Sequence, residues 1–454
     1  MSKKLISSVY LIPMSFLLTI IIGAGLLALP ISSATGESTD YLTAFFTSTT
    51  SVCVTGLVVV DTYMHWSVFG QVVILILVQI GGLGVVTVGS MLMLIGKRKF
   101  NLGSRNLLND ALNVEKRRGL LSFLIRIFKG TFVVEAIGAF FYSLYFVPRL
   151  GFLKGVWASI FQAVSAFCNA GMDVVGPNSM IDFHFSGLMM TVTSTLIILG
   201  GLGFVVWFDI WDGFKEGIKN KLSFKNIIKR LSIHSKVVLI LTALFLLVGT
   251  VGILITEYNN PDTIGNMDFT GKLSNSFFQS VTFRTAGFAS VPQDKLTESS
   301  CLIGYFLMFI GGSPVGTAGG IKTVTAFLVF MNAVSYVKGR KENLVFNKRI
   351  SEELMRKAAA IVFVSFMSVV LMTILLMETG GINLTDSLYE VVSALATVGL
   401  SRGLTPLLNT AGRIIIIISM YLGRIGPISM AVFFSKGSGL ENKIKHSEGK
   451  LYVG

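Results

Sequence analysis

The sequence predicts an all-α membrane protein of four membrane-pore-membrane repeats, with eight transmembrane helices and four re-entrant pore helices in a pseudo-fourfold arrangement around one pore. Three observations predict this fold: the composition, a glycine motif repeated four times, and the alternation of basic and acidic segments. Of the 454 residues, 52% are apolar and 14% are charged, with a mean hydropathy of +0.73. About a quarter of a soluble domain is charged, so the composition excludes an ordinary soluble protein.

Apolar runs of about 20 residues, the length that crosses a bilayer, recur along the whole chain. The run from Val9 to Pro30 is long and has no small-residue cleavage site after it, which favours a first span over a signal peptide. The predicted spans are 9–29, 70–95, 125–147, 186–209, 237–256, 301–335, 358–377 and 412–434.

The net charge of +14 is concentrated in a few segments. Basic residues cluster at Lys3 and Lys4 and in 96–118, 211–236, 336–357 and 435–454, whereas the segments between them carry acids. By the positive-inside rule, the basic segments and both termini are cytoplasmic. This placement points away from a nucleic-acid partner and toward the lipid bilayer. Contact of the same lysines with anionic lipid is an additional role that stays open.

A short motif that begins with an aromatic residue and ends in glycine and an apolar residue occurs four times. Its glycines, separated by 115, 116 and 112 residues, are Gly56, Gly171, Gly287 and Gly399. A second series is in phase with the first: Gly81-Gly82-Leu83-Gly84, Gly200-Gly201-Leu202-Gly203, Gly311-Gly312-Ser313-Pro314 and Gly423-Arg424-Ile425-Gly426. We therefore expect repeats at 1–100, 101–215, 216–340 and 341–435, followed by a cytoplasmic tail at 436–454.

The segments before the first glycine series are too short and too polar to cross the membrane. They lie at 41–52, 157–168, 273–284 and 385–396. Basic segments occur only after every second span. Each short segment therefore starts and finishes on the side of the membrane where the acidic segments lie. Segments of this length are typical of re-entrant helices.

Four re-entrant helices around an axis predict a path for cations. The C-terminal end of each helix carries partial negative charge toward the middle of the membrane, and the carbonyls beyond it can replace the water around an ion. Glycine adopts the positive φ angles that such a turn requires. Four ordinary loop turns are the alternative interpretation. The candidate ion-binding residues are Val54, Thr55, Gly56, Asn169, Ala170, Gly171, Thr285, Ala286, Gly287, Thr397, Val398 and Gly399.

The second span of the third repeat contains the segment 313–320, whose proline and three glycines predict a break into helices at 301–310 and 321–335. Two interpretations of this break stand, namely a movable gate and a static packing kink.

Arg424 lies inside the last predicted span, where arginine is costly and normally faces a cavity or a partner. It can project into the path and bond to freed carbonyls, or extend to the cytoplasmic edge. The candidate gate residues are Ser313, Pro314, Val315, Gly316, Thr317, Ala318, Gly319, Gly320 and Arg424.

Other polar residues at membrane depth receive simpler interpretations. Cys53 and Cys168 occupy the same repeat position, where apolar filling is favoured over metal binding. We expect Arg284 to be tied to a carbonyl or to an acid such as Asp268 or Asp294, and Glu135 to face protein. The chain has neither H-E-x-x-H nor G-x-S-x-G, so we predict no enzymatic activity.

These motifs together resemble the potassium-transporting membrane subunits of the Trk/Ktr/HKT superfamily, most closely the Ktr type (KtrB-like). The specific matches are Thr55-Gly56-Leu57, Val58-Val59-Val60-Asp61, Asn169-Ala170-Gly171, Arg284-Thr285-Ala286-Gly287-Phe288, Thr397-Val398-Gly399-Leu400 and Gly423-Arg424-Ile425-Gly426-Pro427. The resemblance implies potassium uptake across the bacterial plasma membrane through a glycine-lined selectivity filter. Glycine is present in all four loops, as in the potassium-permeating members, whereas some sodium-selective relatives have serine in the first loop.

Residues 313–320 resemble the gating loop of the family, although Pro314 departs from its pattern. Only eight residues precede the first apolar run, so the two extra N-terminal spans of Trk-type relatives are not expected.

The resemblance also implies a homodimer and a cytoplasmic ring of RCK/KTN-type (KtrA-like) regulatory subunits. The chain has no Rossmann G-x-G-x-x-G motif, so any control by ATP, ADP or NAD must act through that partner. Segments 211–236 and 336–357 are candidate contacts. We expect no cofactor in this chain, potassium as the substrate and sodium as a possible second ion. The alternative is a secondary transporter with broken helices for another small cation or solute, which would favour two repeats and intramembrane acids.

Overall fold

The structure is a computed structural model that describes residues 3–95, 120–221, 223–340 and 342–426. These residues are almost entirely helical, apart from a hairpin of β1 (Leu344–Val345) and β2 (Lys348–Arg349). The helices are α1 Lys3–Leu27, α2 Tyr41–Cys53, α3 Thr62–His65, α4 Val68–Leu83, α5 Val85–Ile95, α6 Leu120–Leu150, α7 Phe152–Cys168, α8 Gly187–Leu202, α9 Phe204–Lys219, α10 Phe224–Arg230, α11 Ile233–Glu257, α12 Phe269–Thr282, α13 Glu298–Phe309, α14 Thr323–Val337, α15 Glu352–Glu378, α16 Leu384–Leu395 and α17 Thr410–Ile425.

The first span of each repeat is one long apolar helix: α1, α6, α11 and α15 in turn. Each is long and apolar enough to cross a membrane. They run several residues past most of the predicted bounds because polar residues at the ends of an apolar run continue the helix. Apolar side chains on their outer faces, such as Leu18, Leu247 and Phe363, are exposed, as expected for helices that contact lipid. The end of the spans that adjoins segments 211–236 and 336–357 is called the basic side below, and the opposite end is called the acidic side.

The four pore helices, α2, α7, α12 and α16, form the centre of the molecule. Side-chain caps at Asp40, Asp268 and Asn383 accept backbone N–H bonds where three of them begin, as polar caps commonly do. The predicted start of the second pore helix at residue 157 is wrong, because α7 begins at Phe152. Gly151, at φ +80°, lets the chain turn sharply between α6 and α7.

The second spans depart most from the sequence-based expectation. The predicted spans at 70–95 and 186–209 are not straight helices, since the chain bends by 97° between α4 and α5 and by 96° between α8 and α9. Gly84 and Gly203 lie at these bends with φ of +88° and +86°, a conformation that is routine only for glycine. In the third repeat, the chain leaves the helix after Phe309 and resumes it at Thr323.

The fourth repeat ends with α17, whose last residue is followed by Gly426 at φ +92°. Residues 427–434 of the predicted last span lie outside the described residues. So do the basic segments 96–118 and 435–454, the predicted boundaries near residues 100 and 435, and the tail 436–454.

Candidate functional site

The four motif glycines lie next to one another in a closed ring. A Cβ atom placed on Gly56 would lie 2.5 Å from a carbonyl oxygen of the second repeat, and a Cβ on Gly287 would lie 2.6 Å from one of the fourth. Each glycine faces the next repeat in this way, and the fourth faces the first. In the order Gly56, Gly171, Gly287 and Gly399, the facing oxygens are those of Ala170, Ala286, Val398 and Thr55. The structure therefore brings together all twelve candidate ion-binding residues.

Each loop of the ring contains two left-handed residues, separated by one position. The glycines have φ of +101°, +65°, +81° and +95°, and the residues two positions earlier are Val54, Asn169, Thr285 and Thr397, with φ of +56°, +60°, +66° and +51°. Left-handed backbone is unfavourable for residues with a β-carbon, and more so for β-branched ones. Strain repeated at the same position of four loops marks a conformation that the surrounding structure enforces.

Hydroxyl side chains at the ends of the pore helices tie the loops back to the helices. Thr50 Oγ1 accepts the Gly56 N–H at 2.9 Å, and Ser393 Oγ accepts the Gly399 N–H at 3.0 Å. Thr282 donates to the Phe288 carbonyl at 2.7 Å, and Ser165 donates to the Met172 carbonyl. Sequence reasoning missed this set. A hydroxyl residue five or six positions before each motif glycine is the signal that would have found it.

The second glycine series brings the second spans against the pore helices. A Cβ on Gly81, Gly200 or Gly423 would collide with the carbonyl of Val52, Phe167 or Leu395 respectively, each four residues before a motif glycine. In the third repeat, Gly311 instead faces the Gly319 carbonyl. These positions require glycine because the backbones approach too closely for any side chain.

The segment 313–320 lies beside the ring. Thr317 Oγ1 bonds the Phe167 carbonyl at 3.1 Å and the Asn169 side-chain oxygen at 3.2 Å. On the other side, a Cβ on Gly319 would overlap the Thr397 hydroxyl. The segment thus contacts the second and fourth ring loops. Ser313, Thr317, Ala318 and Gly319 are buried, while Pro314, Val315, Gly316 and Gly320 are partly exposed.

Arg424 reaches this segment from the last helix. Its guanidinium donates to the Thr317 carbonyl at 2.7 Å and contacts the Gly81 carbonyl in the first repeat. Lys322 donates to the neighbouring Ala318 carbonyl at 2.6 Å. Arg424 and Lys322 both line a cavity of about 560 Å³ that also borders Pro314 to Gly316 and Ala318 to Ile321. The arginine therefore faces a cavity and the broken helix of the third repeat.

Two further charged residues singled out in the sequence, Arg284 and Glu135, are buried. Arg284 donates to the Gly311 carbonyl at 3.4 Å and lies over the Phe245 ring, so its acceptor is a carbonyl and neither Asp268 nor Asp294. The prediction that Glu135 faces protein is confirmed, since it is 5% exposed and accepts a bond from Gln79 at 3.3 Å.

The two predicted pore-helix cysteines are buried free thiols. Cys168 lies 3.6 Å from the Gln79 side-chain oxygen. Within the described residues, no group of three or more His, Cys, Asp or Glu side chains is placed to hold a metal.

Comparison with known proteins agrees with this architecture. The family model described as "TrkH: Cation transport protein" matches residues 11–443. The chain is 39% identical to the potassium/sodium uptake protein NtpJ of Enterococcus hirae, over 100% of this chain and 98% of the relative. It is 37% identical to the Ktr system potassium uptake protein B of Bacillus subtilis, over 97% and 95% of the two chains. The crystal structure of the potassium transporter TrkH from Vibrio parahaemolyticus superposes with a TM-score of 0.71 at 14% identity, covering 93% of this chain and 85% of that one. The chain belongs to the TrkH family of cation transport proteins.

Proposed function

We propose that the protein takes up potassium across the bacterial plasma membrane through a pore at the glycine ring. The observation that carries the proposal is the closed ring of four loops, each with left-handed backbone at its glycine and two residues earlier. Carbonyl oxygens held around an axis can replace the hydration shell of a monovalent cation. The relatives' names, potassium/sodium uptake protein and potassium uptake protein B, support potassium with sodium as a second ion.

The twelve ring residues would form the selectivity filter, and residues 313–320 with Arg424 would form the gate beneath it. The positive charge of Arg424 would repel cations in the cavity, and its bonds to the Thr317 and Gly81 carbonyls would hold the loop across the path. A movement of the loop would have to break these bonds, which would define the closed arrangement of the proposed gate.

The orientation, oligomeric state and regulation belong to the same proposal. The basic side would be cytoplasmic, with both termini on it, by the positive-inside rule. The chain would form a homodimer and bind a cytoplasmic ring of RCK/KTN-type subunits, which would carry the ATP, ADP or NAD. A relative named for a "Ktr system" supports a multi-component assembly. The exposed basic residues of 211–236 and 336–357 are the proposed contacts.

Flux into vesicles tests the proposal. The purified chain is reconstituted in lipid vesicles, and rubidium tracer uptake is driven by an internal potassium load. Uptake that potassium competes for far better than sodium supports the filter. Equal competition by both ions, or no uptake above protein-free vesicles, contradicts it. Growth of a potassium-uptake-deficient bacterium on limiting potassium, with and without sodium and a regulatory subunit, tests the function in cells.

A further inference from the structure

Helix α9 turns away from the axis of α8 and does not continue it. The two helices meet at 96°, and with α8 along the bilayer normal this angle places α9 along the membrane plane. Asp209 accepts the backbone N–H of Ser232, which caps the start of α11, at 2.9 Å. Asp212 pairs with Arg126, near the start of α6, at 3.1 Å. These contacts place α9 at the level where two spans begin on the basic side.

One face of α9 is apolar and exposed. Trp211 is 69% exposed and Ile218 is 79% exposed. They are seven residues apart, and residues at this spacing share a helix face. Phe214 lies between them on that face and is also exposed. A different face carries Gly217, which packs against Ile227 of α10. The stripe formed by Trp211, Phe214 and Ile218, called the apolar stripe below, is therefore not the side that packs on α10.

Basic residues border the apolar stripe. Lys215 and Lys219 of α9 are exposed. The adjoining helix α10 carries the exposed Lys225 and Lys229, and its Arg230 lies 3.7 Å from Glu216 of α9. A helix with large apolar side chains on one face and lysines beside them is typical of segments that lie in the headgroup region of anionic membranes. Each basic residue near an anionic surface contributes roughly 1 kcal/mol to such binding.

The start of α9 is hydrogen-bonded to the segment 313–320. The Phe204 N–H donates to the Val315 carbonyl at 2.9 Å, and the Thr317 N–H donates to the Gly200 carbonyl at 3.1 Å. The Ser313 N–H also donates to the Gly201 carbonyl, at 2.9 Å. The bend between α8 and α9 and the segment 313–320 therefore cannot move independently.

The same turn of α9 also touches a pore helix. The Trp207 ring packs against the Phe167 ring at 5.6 Å between centroids, and its Nε1 donates to the Leu199 carbonyl at 3.0 Å. Phe167 is one residue before the end of α7. A tilt of α9 is thus transmitted to the loop beside the ring and to the base of the second ring loop.

We propose that α9 binds anionic phospholipid headgroups through the apolar stripe and its lysines, and that this binding sets the position of the segment 313–320. This inference rests on the proposed function, in which that segment is the gate. The ligand is the anionic membrane surface itself, which is continuous with the lipid around α6 and α11. The stripe lies beside their starting points.

The test compares two vesicle compositions with the purified full-length chain. One is phosphatidylcholine alone, and the other contains roughly a third phosphatidylglycerol, enough to give the surface a negative potential. We expect potassium flux to differ at least threefold between them, and high salt to reduce the difference because it screens surface charge. The variants Trp211→Ser/Ile218→Ser and Lys215→Gln/Lys219→Gln should lose the difference and keep the flux measured in neutral vesicles.

Two matched variants control for general effects. Leu247→Ser removes an exposed apolar side chain from α11, and Lys348→Gln removes an exposed cation from the β-hairpin. Both should keep the lipid response. The same flux in both vesicle types, or a full response in the α9 variants, overturns the inference. Absence of flux in every vesicle instead contradicts the proposed function, so the two failures are distinguishable.

A fluorescent label identifies what covers the stripe. With Trp211→Cys labelled in the reconstituted protein, brominated lipids should quench the label, and anionic lipid should increase the quenching. A label that lipids cannot quench, together with a disulfide formed between two unlabelled Trp211→Cys copies under an added oxidant, would assign the stripe to a contact between protomers and would overturn the lipid assignment. The native cysteines of the described residues are buried, which limits background labelling.

Discussion

The guanidinium of Arg424 and the carbonyl oxygen of Thr317 are 2.7 Å apart, which joins the last helix to the broken helix of the third repeat. The same guanidinium contacts the Gly81 carbonyl, so one side chain connects three repeats. Arginine presents several donors in a rigid fork and stays charged in proteins. The residue is therefore suited to hold the segment 313–320 and to place positive charge in the cavity.

We predict that Arg424→Ala raises potassium flux in vesicles at least several-fold. The substitution removes both the charge that opposes cations and the bonds to the Thr317 and Gly81 carbonyls. Arg424→Lys should give an intermediate flux, because lysine keeps the charge and loses the fork geometry.

Arg413→Ala is the control for Arg424, since Arg413 lies near the other end of α17, where it donates to the Leu408 carbonyl and, at 3.4 Å, to Thr43 Oγ1 at the start of α2. Its flux should equal that of the unmodified protein. A flux that is the same for Arg424→Ala and Arg413→Ala would show that Arg424 has no part in the gate.

A second prediction concerns the hydroxyl that supports the first loop. Thr50→Val leaves the buried Gly56 N–H without its acceptor, and an unsatisfied buried group costs roughly 1–3 kcal/mol. We expect a lower midpoint of thermal unfolding in detergent and weaker discrimination of potassium from sodium.

Thr49→Val is the matched control for Thr50→Val, because the neighbouring Thr49 hydroxyl donates to the Phe45 carbonyl of its own helix and, among the residues that the structure describes, to no ring loop. It should preserve ion discrimination. If both variants discriminate equally well, the Thr50 hydroxyl does not support the loop conformation.

The third prediction concerns the acidic side, where Arg402 joins two repeats. Its Nε lies 2.8 Å from Asp386 Oδ1, and its Nη1 donates to the Gln293 carbonyl at 3.1 Å. The two charged side chains are only 13% and 29% exposed. A double-mutant cycle of Arg402→Gln and Asp386→Asn should give a coupling of about 1 kcal/mol in unfolding free energy.

The solvent-exposed pair of Arg349 and Glu342 serves as the comparison for Arg402 and Asp386. We expect it to show little coupling, since water and salt weaken such pairs. Equal coupling for the two pairs would indicate that burial does not strengthen the Arg402 contact.

The repeat architecture was predictable because it depends on features that are visible in the chain. The spacing of Gly56, Gly171, Gly287 and Gly399 marks four equivalent units, and apolar length separates spans from pore helices. The break near Pro314 was also predictable, because proline removes a helix hydrogen bond. The assignment of the ring as a filter and of 313–320 as a gate stays a prediction.

Backbone details were not predictable from the same pattern. Gly84 and Gly203 lie within continuous apolar runs, and such a run looks the same whether the helix is straight or bent. The left-handed conformation of Val54 and Thr397 contradicts the local preference of β-branched residues. Contacts with neighbouring repeats, which sequence periodicity does not reveal, enforce it.

The most direct test of the account measures the potassium-to-sodium preference of Gly56→Ser beside that of Gly403→Ser. Both glycines have positive φ, of +101° and +87°, but a Cβ on Gly56 meets the Ala170 carbonyl while one on Gly403 meets nothing within 4 Å. The two variants therefore share a positive φ, but only the side chain of Gly56→Ser meets a neighbouring loop of the ring. We predict that Gly56→Ser loses at least tenfold in preference, measured by competition for rubidium uptake in vesicles, and that Gly403→Ser keeps it. Unchanged preference in a folded, active Gly56→Ser protein would contradict the claim that the ring selects the ion.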